Sequence, residues 1–496
     1  MKTRRLISIC VCMLWAIFAS AYDFSEKNED GVLIYYDDTE PGFCEVAQSP
    51  APYKGKLVIP PTANGRIVAG IGYNAFKHQT QMESIVLPNT MVYIGALAFE
   101  ECYDLKSVDL GNVMLIGEMA FCSCFSLKDL KIPESLVYCG YDAFSGCDID
   151  HPLYNSHYFL YFPQNYATTY SIPEGIETIG VSAFSLTRIE NVTFPKSLKR
   201  IEEHAFDGSN LKSLNLPSSL TTIGKNAFCQ CYDLTTSITI PSSVTEMGEY
   251  IFESSGITAC DFQNKFEKLP NGTFSSCYSL RKVHLPDELK IIGEYAFSSD
   301  EKLRTFNLPE HLDSIGRYAF YSCKSIKKIT VPEGVKRLEE LTFCECEGLK
   351  SITLPSTLEY IGAWAIMSCP LLESITLPES LSYIEVSALG HNKSLKDVYV
   401  SWKEPITDLD LPFNNSFSSP GEPYPATLHV PNGTKHLYEQ APVWKNFQNI
   451  VEDISTDIPT ISTETNPQKV LSDGKVMIRK NNEFYDASSG IKIMHK

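Results

Sequence analysis

Leu349-Lys350-Ser351-Ile352-Thr353-Leu354-Pro355-Ser356-Thr357-Leu358-Glu359-Tyr360-Ile361-Gly362-Ala363-Trp364-Ala365-Ile366-Met367-Ser368-Cys369 is one unit of a pattern that fills most of this chain. Ile352 and Leu354 alternate with polar neighbours, the period of a strand with one buried face. Pro355 has no amide hydrogen to give to a ladder and ends the pairing. Leu358 and Ile361 turn back inward, Gly362 permits a tight bend, and Ala365-Ile366 begins a short helical or turn segment that closes the coil. The unit predicts a strand, a corner, a second short extended piece and a return.

The phrase Leu/Ile-Pro, then Leu, then Ile-Gly-x-x-Ala-Phe recurs from Ile71-Gly72-Tyr73-Asn74-Ala75-Phe76 onward. Its aromatic falls at Phe76, Phe99, Phe121, Phe144, Phe184, Phe206, Phe228, Phe252, Phe274, Phe297, Phe320 and Phe343, continuing as Ile366 and Leu389. Neighbours are 22, 23 or 24 residues apart except across one gap of 40. A coil this short cannot bury its own apolar face, so successive coils must stack into a solenoid with one continuous core. Leu216, Leu285, Leu308, Leu354 and Leu377 then form one ladder, and Ile223, Ile292, Ile315, Ile361 and Ile384 another. About fourteen coils at about 4.8 Å each predict a body on the order of 65 Å long.

The ends read differently. Lys2, Arg4 and Arg5, an apolar run over 6–18 and Ala19-Ser20-Ala21 have the three parts of a secretory signal, so 1–21 is expected to be removed. That loss takes three basic and no acidic residues, moving the formal net charge from −18 to −21. No basic stripe stands out that could hold a phosphate backbone, and nucleic acid is not an expected partner. Residues 22–58 lack the repeat phrase and alternate like strands around Gly31-Val32-Leu33-Ile34-Tyr35-Tyr36, as an N-terminal cap would. The solenoid is expected over 59–451, with Tyr438, Trp444 and Phe447 covering its last coil. A Ser/Thr/Pro-rich linker over 452–472 and a short β segment over 473–496 follow.

The phrase Ile-x-Leu-Pro-x-x-Leu-x-x-Ile-Gly-x-x-Ala-Phe-x-x-Cys resembles the repeat of the BspA-like leucine-rich-repeat family, found in secreted and surface proteins of Bacteroidetes. The resemblance implies a leucine-rich-repeat solenoid, mainly of short parallel β-strands with short helical or turn segments, about 23 residues per repeat. It also implies surface display and adhesion to extracellular proteins or glycans of a host or a neighbouring microbe. The Val-Pro-x-Gly segment with its following Tyr and Trp-x-x-Phe is similar to the closing unit of such proteins. The C-terminal Tyr485-Asp486-Ala487-Ser488-Ser489-Gly490-Ile491-Lys492-Ile493 is similar to a sorting signal for outer-membrane export and surface attachment.

Within the 40-residue gap, the irregular coil 148–169 is crowded with rings: Tyr154, Tyr158, Phe159, Tyr161, Phe162 and Tyr166. Two readings stand. Exposed rings would suit a sugar face or a protein hot spot, with Tyr154, Tyr158, Tyr161 and Tyr166 as the binding residues. Alternatively the coil is degenerate, with Tyr-Phe-Leu-Tyr-Phe-Pro standing in for the strand and its proline.

Sixteen cysteines invite a chemical reading. Eight share one slot, three after the aromatic: Cys102, Cys124, Cys147, Cys231, Cys277, Cys323, Cys346 and Cys369. Cys122, Cys229 and Cys344 sit two before. Cys-x-Cys spacing without partnered histidines does not suit zinc, and equal slots in adjacent coils point one way, whereas a disulfide needs a particular mutual orientation. Buried free thiols packed as small hydrophobes are expected. No nucleophile elbow, His-Glu-x-x-His, phosphate loop or calcium loop occurs, and His204 beside Glu202 and Glu203 lies in variable positions. No catalytic residue, metal or cofactor is assigned. The sequence therefore reads as a non-enzymatic binding or adhesion protein at the cell surface or beyond. A surface scaffold without a ligand and a hydrolase with its site near 148–169 are the alternatives.

Overall fold

The computed structural model describes residues 22–304, 306–407, 409, 413 and 423–454, together with the backbone of 468–472, 475–480, 483–486 and 492–493. The chain is a β-solenoid of about 17 turns with about 23 residues per turn and almost no helix. The extra turns relative to fourteen come from coils that lack the repeat phrase. The expected signal segment 1–21 lies outside the described residues.

Each coil contributes to three parallel ladders. The first holds the strand before the proline: Lys328–Thr330 pairs with Ser351–Thr353, and Ile329 and Ile352 face the core while Thr330 and Thr353 face solvent. The second holds the Ile-Gly piece, as Arg337–Leu338, Tyr360–Ile361 and Tyr383–Ile384 pair in register. The third is built from turns, where a helical alternative was open. Leu341 and Glu345 take left-handed φ of 57° each. This breaks any helix and divides the amides: Leu341, Phe343 and Glu345 N–H reach the carbonyls of Ala363, Ala365 and Met367 in the next coil at 3.0, 2.8 and 2.9 Å. The intervening Thr342 and Cys344 N–H close turns within their own coil. A non-glycine left-handed residue costs about 1–2 kcal/mol, and hydrogen bonds repeated down the stack offset that cost.

The corner glycine has a different reason from the one its sequence position suggested. Gly362 does not take a positive φ; a Cβ there would lie 2.9 Å from the amide nitrogen of Glu340 in the preceding coil. At Gly316 the same atom would meet the Glu294 nitrogen at 2.6 Å. Close backbone approach, and not the bend itself, demands glycine.

Core phenylalanines stack face to face along the axis, Phe99 on Phe121 at 4.9 Å and Phe184 on Phe206 at 4.8 Å. At the N-terminal end, β1 (Phe24–Lys27), β2 (Leu33–Asp38) and β3 (Phe43–Val46) form an antiparallel meander. Parallel pairing starts before residue 59: β3 pairs with Arg66–Ile71, and Lys54–Val58 with Gln81–Val86. At the other end Tyr424–Pro431 pairs with Phe447–Ile454, carrying the closing strand past residue 451. Tyr438 and Trp444 are fully buried there, the Tyr438 hydroxyl donating to the Trp402 carbonyl at 2.6 Å and the Trp444 indole to that of Ile406 at 2.8 Å. The strand Gln468–Ser472 falls within the segment expected as linker and joins Lys475–Lys480, Glu483–Asp486 and Lys492–Ile493 in an antiparallel sheet. Among the described residues no helix is long and apolar enough to cross a membrane.

Candidate functional site

The irregular coil interrupts the stack. The core divides there into two clusters, one ending at Phe144, Leu153, Tyr158 and Leu160, the other beginning with Phe159 and Phe162. Leu153–Tyr154 runs antiparallel to Tyr158–Tyr161, which in turn pairs in parallel with Thr178–Ile179. The Tyr-Phe-Leu-Tyr segment therefore belongs to the second ladder, not to the first strand and its proline as one sequence reading had it. Phe159 stands opposite Ile179, and the Phe162 N–H donates to Ala183 at 2.8 Å, the bond that the repeat aromatic makes in regular coils. Phe162 stacks on Phe184 at 4.9 Å. The gap of 40 thus holds a degenerate coil, as one of the two sequence readings expected, whose aromatic is Phe162 and whose corner is too short to carry the repeat phrase.

Asn155 fixes this coil to the one before. Its side-chain amide donates to the carbonyls of Pro133 and Leu136 at 3.1 and 3.0 Å, and its oxygen accepts from the amides of His157 and Tyr158 at 3.1 and 2.7 Å. It is buried. No repeat slot marks it, and sequence reading passed over it.

The four tyrosines do not form one surface. Tyr154 is exposed and stacks on Phe159 at 5.7 Å; Tyr166 is 48% exposed, with its ring edge-to-face with Phe162 at 5.5 Å. Tyr158 is only 4% exposed, so its ring is core, and its hydroxyl accepts from the Cys139 amide at 3.4 Å. Tyr161 is half-buried against Phe144 at 6.0 Å. It helps line a cleft of about 160 Å³ between the coil of Phe144 and that of Phe184, with Asp142, Gly146, Gln164, Ser182 and Leu186 also in the walls.

Other surface rings, some exposed and some half-buried, follow slots that the sequence reading did not use. Tyr103 and Phe125 follow slot cysteines and stack at 5.4 Å, with Tyr232 and Tyr278 exposed in the same position. Tyr295 and Tyr318, each just before the repeat alanine, stack at 4.7 Å. Tyr360 stacks on Tyr383 at 5.8 Å beneath the Arg337 guanidinium, which is 3.6 Å from the Tyr360 ring centre. On the first ladder the outward row is polar, with His284 paired to Asp261 at 2.9 Å.

The described cysteines are free thiols. Each slot thiol donates to the carbonyl of the aromatic one coil earlier: Cys102 to Phe76 at 3.0 Å, Cys277 to Phe252 at 2.9 Å, Cys346 to Phe320 at 3.3 Å. Burial pushes the Cys231 and Cys369 thiols up to about 12, the reverse of what a nucleophile or metal ligand needs. His204 donates or accepts between Asp207 at 2.8 Å and Asn226 at 3.2 Å, away from Glu202, whose carboxylate pairs with Arg200 at 2.8 Å. Among the described residues no three His, Cys, Asp or Glu side chains are grouped to hold a metal ion.

A family model described as a BspA type leucine rich repeat region matches the chain over 63–159, 155–281, 208–327 and 267–396. The chain belongs to the BspA-type leucine-rich-repeat family. Similar solved structures include a leucine-rich cell surface protein of Faecalibacterium prausnitzii (23% identity, 77% of this chain and 96% of that one, TM-score 0.40). A leucine-rich repeat protein of Bacteroides ovatus is 22% identical over 87% of this chain and 100% of its own, with a TM-score of 0.39. The pneumococcal vaccine antigen PcpA is 17% identical over 88% of this chain and 100% of its own, with a TM-score of 0.41. None of the curated proteins matches the chain.

Proposed function

We propose that this BspA-type chain is an exported, non-enzymatic protein that binds or adheres, at the cell surface or outside the cell, to a protein or glycan of a host or a neighbouring microbe. The observation that carries the reading is the set of ring pairs on the outer surface, Tyr103 with Phe125, Tyr295 with Tyr318, and Tyr360 with Tyr383 under Arg337. Solvent-facing aromatics and arginine are the residue types that dominate binding energy at interfaces, and a long solenoid places them in rows without using the core. The family supports a protein-binding or adhesion role. The basic and apolar start of the chain, ending in Ala-Ser-Ala, supports export.

The test is twofold. Cell fractionation with protease shaving should find the chain surface-exposed or released. The chain lacking 1–21, offered to arrays of extracellular proteins and of glycans, should bind in a manner weakened tenfold or more by Tyr360→Ala with Tyr383→Ala, or by Tyr103→Ala with Phe125→Ala. Intracellular retention, or binding indifferent to both pairs, would reject the reading.

A further inference from the structure

The third ladder stops at the irregular coil, and it stops on donors. In the coil of Phe121, the amides of Met119, Phe121 and Ser123 donate to Tyr141, Ala143 and Ser145 at 2.8, 2.8 and 2.7 Å. The same three positions one coil later are Asp142, Phe144 and Gly146, and none of their amides has a hydrogen-bond partner among the described residues. The cause lies in the next coil. Regular coils place four residues between the second-ladder isoleucine and the aromatic, as from Ile179 to Phe184; the irregular coil places only Leu160 and Tyr161 between Phe159 and Phe162. The carbonyls that should receive the three amides are missing or displaced. One rung returns at Phe162, whose amide donates to Ala183 at 2.8 Å, and all three return in the following coil, with Ser182, Phe184 and Leu186 donating to Glu203, Ala205 and Asp207 at 3.1, 2.7 and 2.8 Å.

These open amides lie on residues that line the cleft, which has room for on the order of ten water molecules. A second unpaired group faces the break: Ser182 Oγ, on the opposite wall, is buried without a partner. Leu186, 64% exposed, stands at the rim. Phe144 is buried, Asp142 half-buried and Gly146 exposed, so the row of three open donors beside the cleft is an accessible ladder edge that another backbone can complete.

We propose that the cleft is a peptide-binding site in which an extended segment of a partner protein enters as the missing rung, its alternate carbonyls accepting from the amides of Asp142, Phe144 and Gly146. Donors at every second residue of one wall match the carbonyls of an extended backbone, the logic of strand addition at an open edge. The site names a partner class for the binding role proposed above and rests on that role only for its use by the organism.

The test uses the chain over 22–496. Hydrogen exchange of the free protein should show the amides of 142, 144 and 146 exchanging at least a hundredfold faster than those of 119, 121 and 123. Peptides selected from a random phage library should slow the first set tenfold or more. Ser185→Trp, which fills the cleft from the far wall, should weaken those peptides tenfold or more. Inserting Gly-Asn between Leu160 and Tyr161 restores the corner length; it should protect the three amides without any peptide and abolish binding, with Ser185→Trp as the deciding variant if the insertion does not fold. Amides already protected in the free chain, peptides indifferent to Ser185→Trp, or a cleft that binds oligosaccharides and no peptide would each overturn the proposal. A chain with no adhesion partner that still protects these amides on binding peptide would retire the adhesion role and leave this site standing.

Discussion

The thiol of Cys102 donates to the carbonyl oxygen of Phe76, 3.0 Å away and one coil earlier in the stack. Both residues are fully buried. This single contact joins two slots of the repeat, and it explains why a small residue with a donor sits there. At one slot that is not cysteine the bond survives in another form: Asn392 donates its side-chain amide to the Ile366 carbonyl at 2.8 Å.

Cys346→Ala should therefore cost more than the loss of a small apolar group. It removes the thiol donor to the Phe320 carbonyl, which keeps only the Cys323 amide at 3.3 Å, a loss of about 0.5–1.5 kcal/mol beyond the apolar term, whereas Cys346→Ser keeps a donor and should cost less. Thermal unfolding of the two variants against the parent checks the order. In the native state Cys346 should also resist iodoacetamide at pH 8, and modify only when the chain is unfolded.

Asp300 occupies the same slot with a carboxyl group. One of its oxygens accepts from the Cys277 amide at 2.9 Å, while the other is buried without a partner. Cys277 and Cys323 face it from the coils on either side, and burial raises its pKa well above the ordinary carboxylate range. An acid whose pKa is higher folded than unfolded gives full stability below its unfolded pKa of about 3.9 and loses it as pH rises toward the folded value. Asp300→Asn, which imitates Asn392, should leave stability near pH 4 almost unchanged and raise it at pH 7 by about 1–3 kcal/mol. Melting curves across that range should show the gap opening with pH; a parallel offset at all pH values would exclude this account.

His429 reports the closing coil. Its ring is held by Asp397 at 3.1 Å and Asp453 at 2.8 Å, and stacks on Tyr399 at 4.3 Å. Burial alone would lower its pKa, but the hydrogen bonds to Asp397 and Asp453 outweigh it and the result is a rise. The stabilisation is full below the unfolded pKa of about 6.5 and disappears as pH climbs through the folded value. Proton NMR titration of the ring should give a midpoint above 6.5 in the parent and a lower one in Asp453→Asn.

Gly316→Ala should destabilise by about 2 kcal/mol or more, the range of overpacking in a rigid site, because the new Cβ meets the backbone of Glu294 at 2.6 Å, not a movable side chain. Gly31→Ala is the contrast: its φ of 78° strains an alanine, yet no atom lies within 4 Å, so only the milder conformational cost remains. Urea denaturation of both variants separates the two causes.

The repeat was legible because a slot that returns every 22 to 24 residues can be dry only if coils stack. The candidate site was half legible. Tyr154 and Tyr166 are exposed as a binding reading requires, but Tyr158 is buried, because its strand fell in the second ladder at a position that no repeat phrase marks.

By itself the sequence determined the period, the apolar ladders, the free-thiol slot and the place where the pattern falters, since each follows from side-chain type at a fixed interval. Tertiary structure alone decided that Phe162 enters the stack, that Asn155 ties the coil down, that the corner glycines answer to a neighbour's backbone, and that three amides at the break lack acceptors among the described residues. Each of those depends on what the adjacent coil presents at a given height, and that is set by a stretch of chain some twenty residues away whose length no local pattern records.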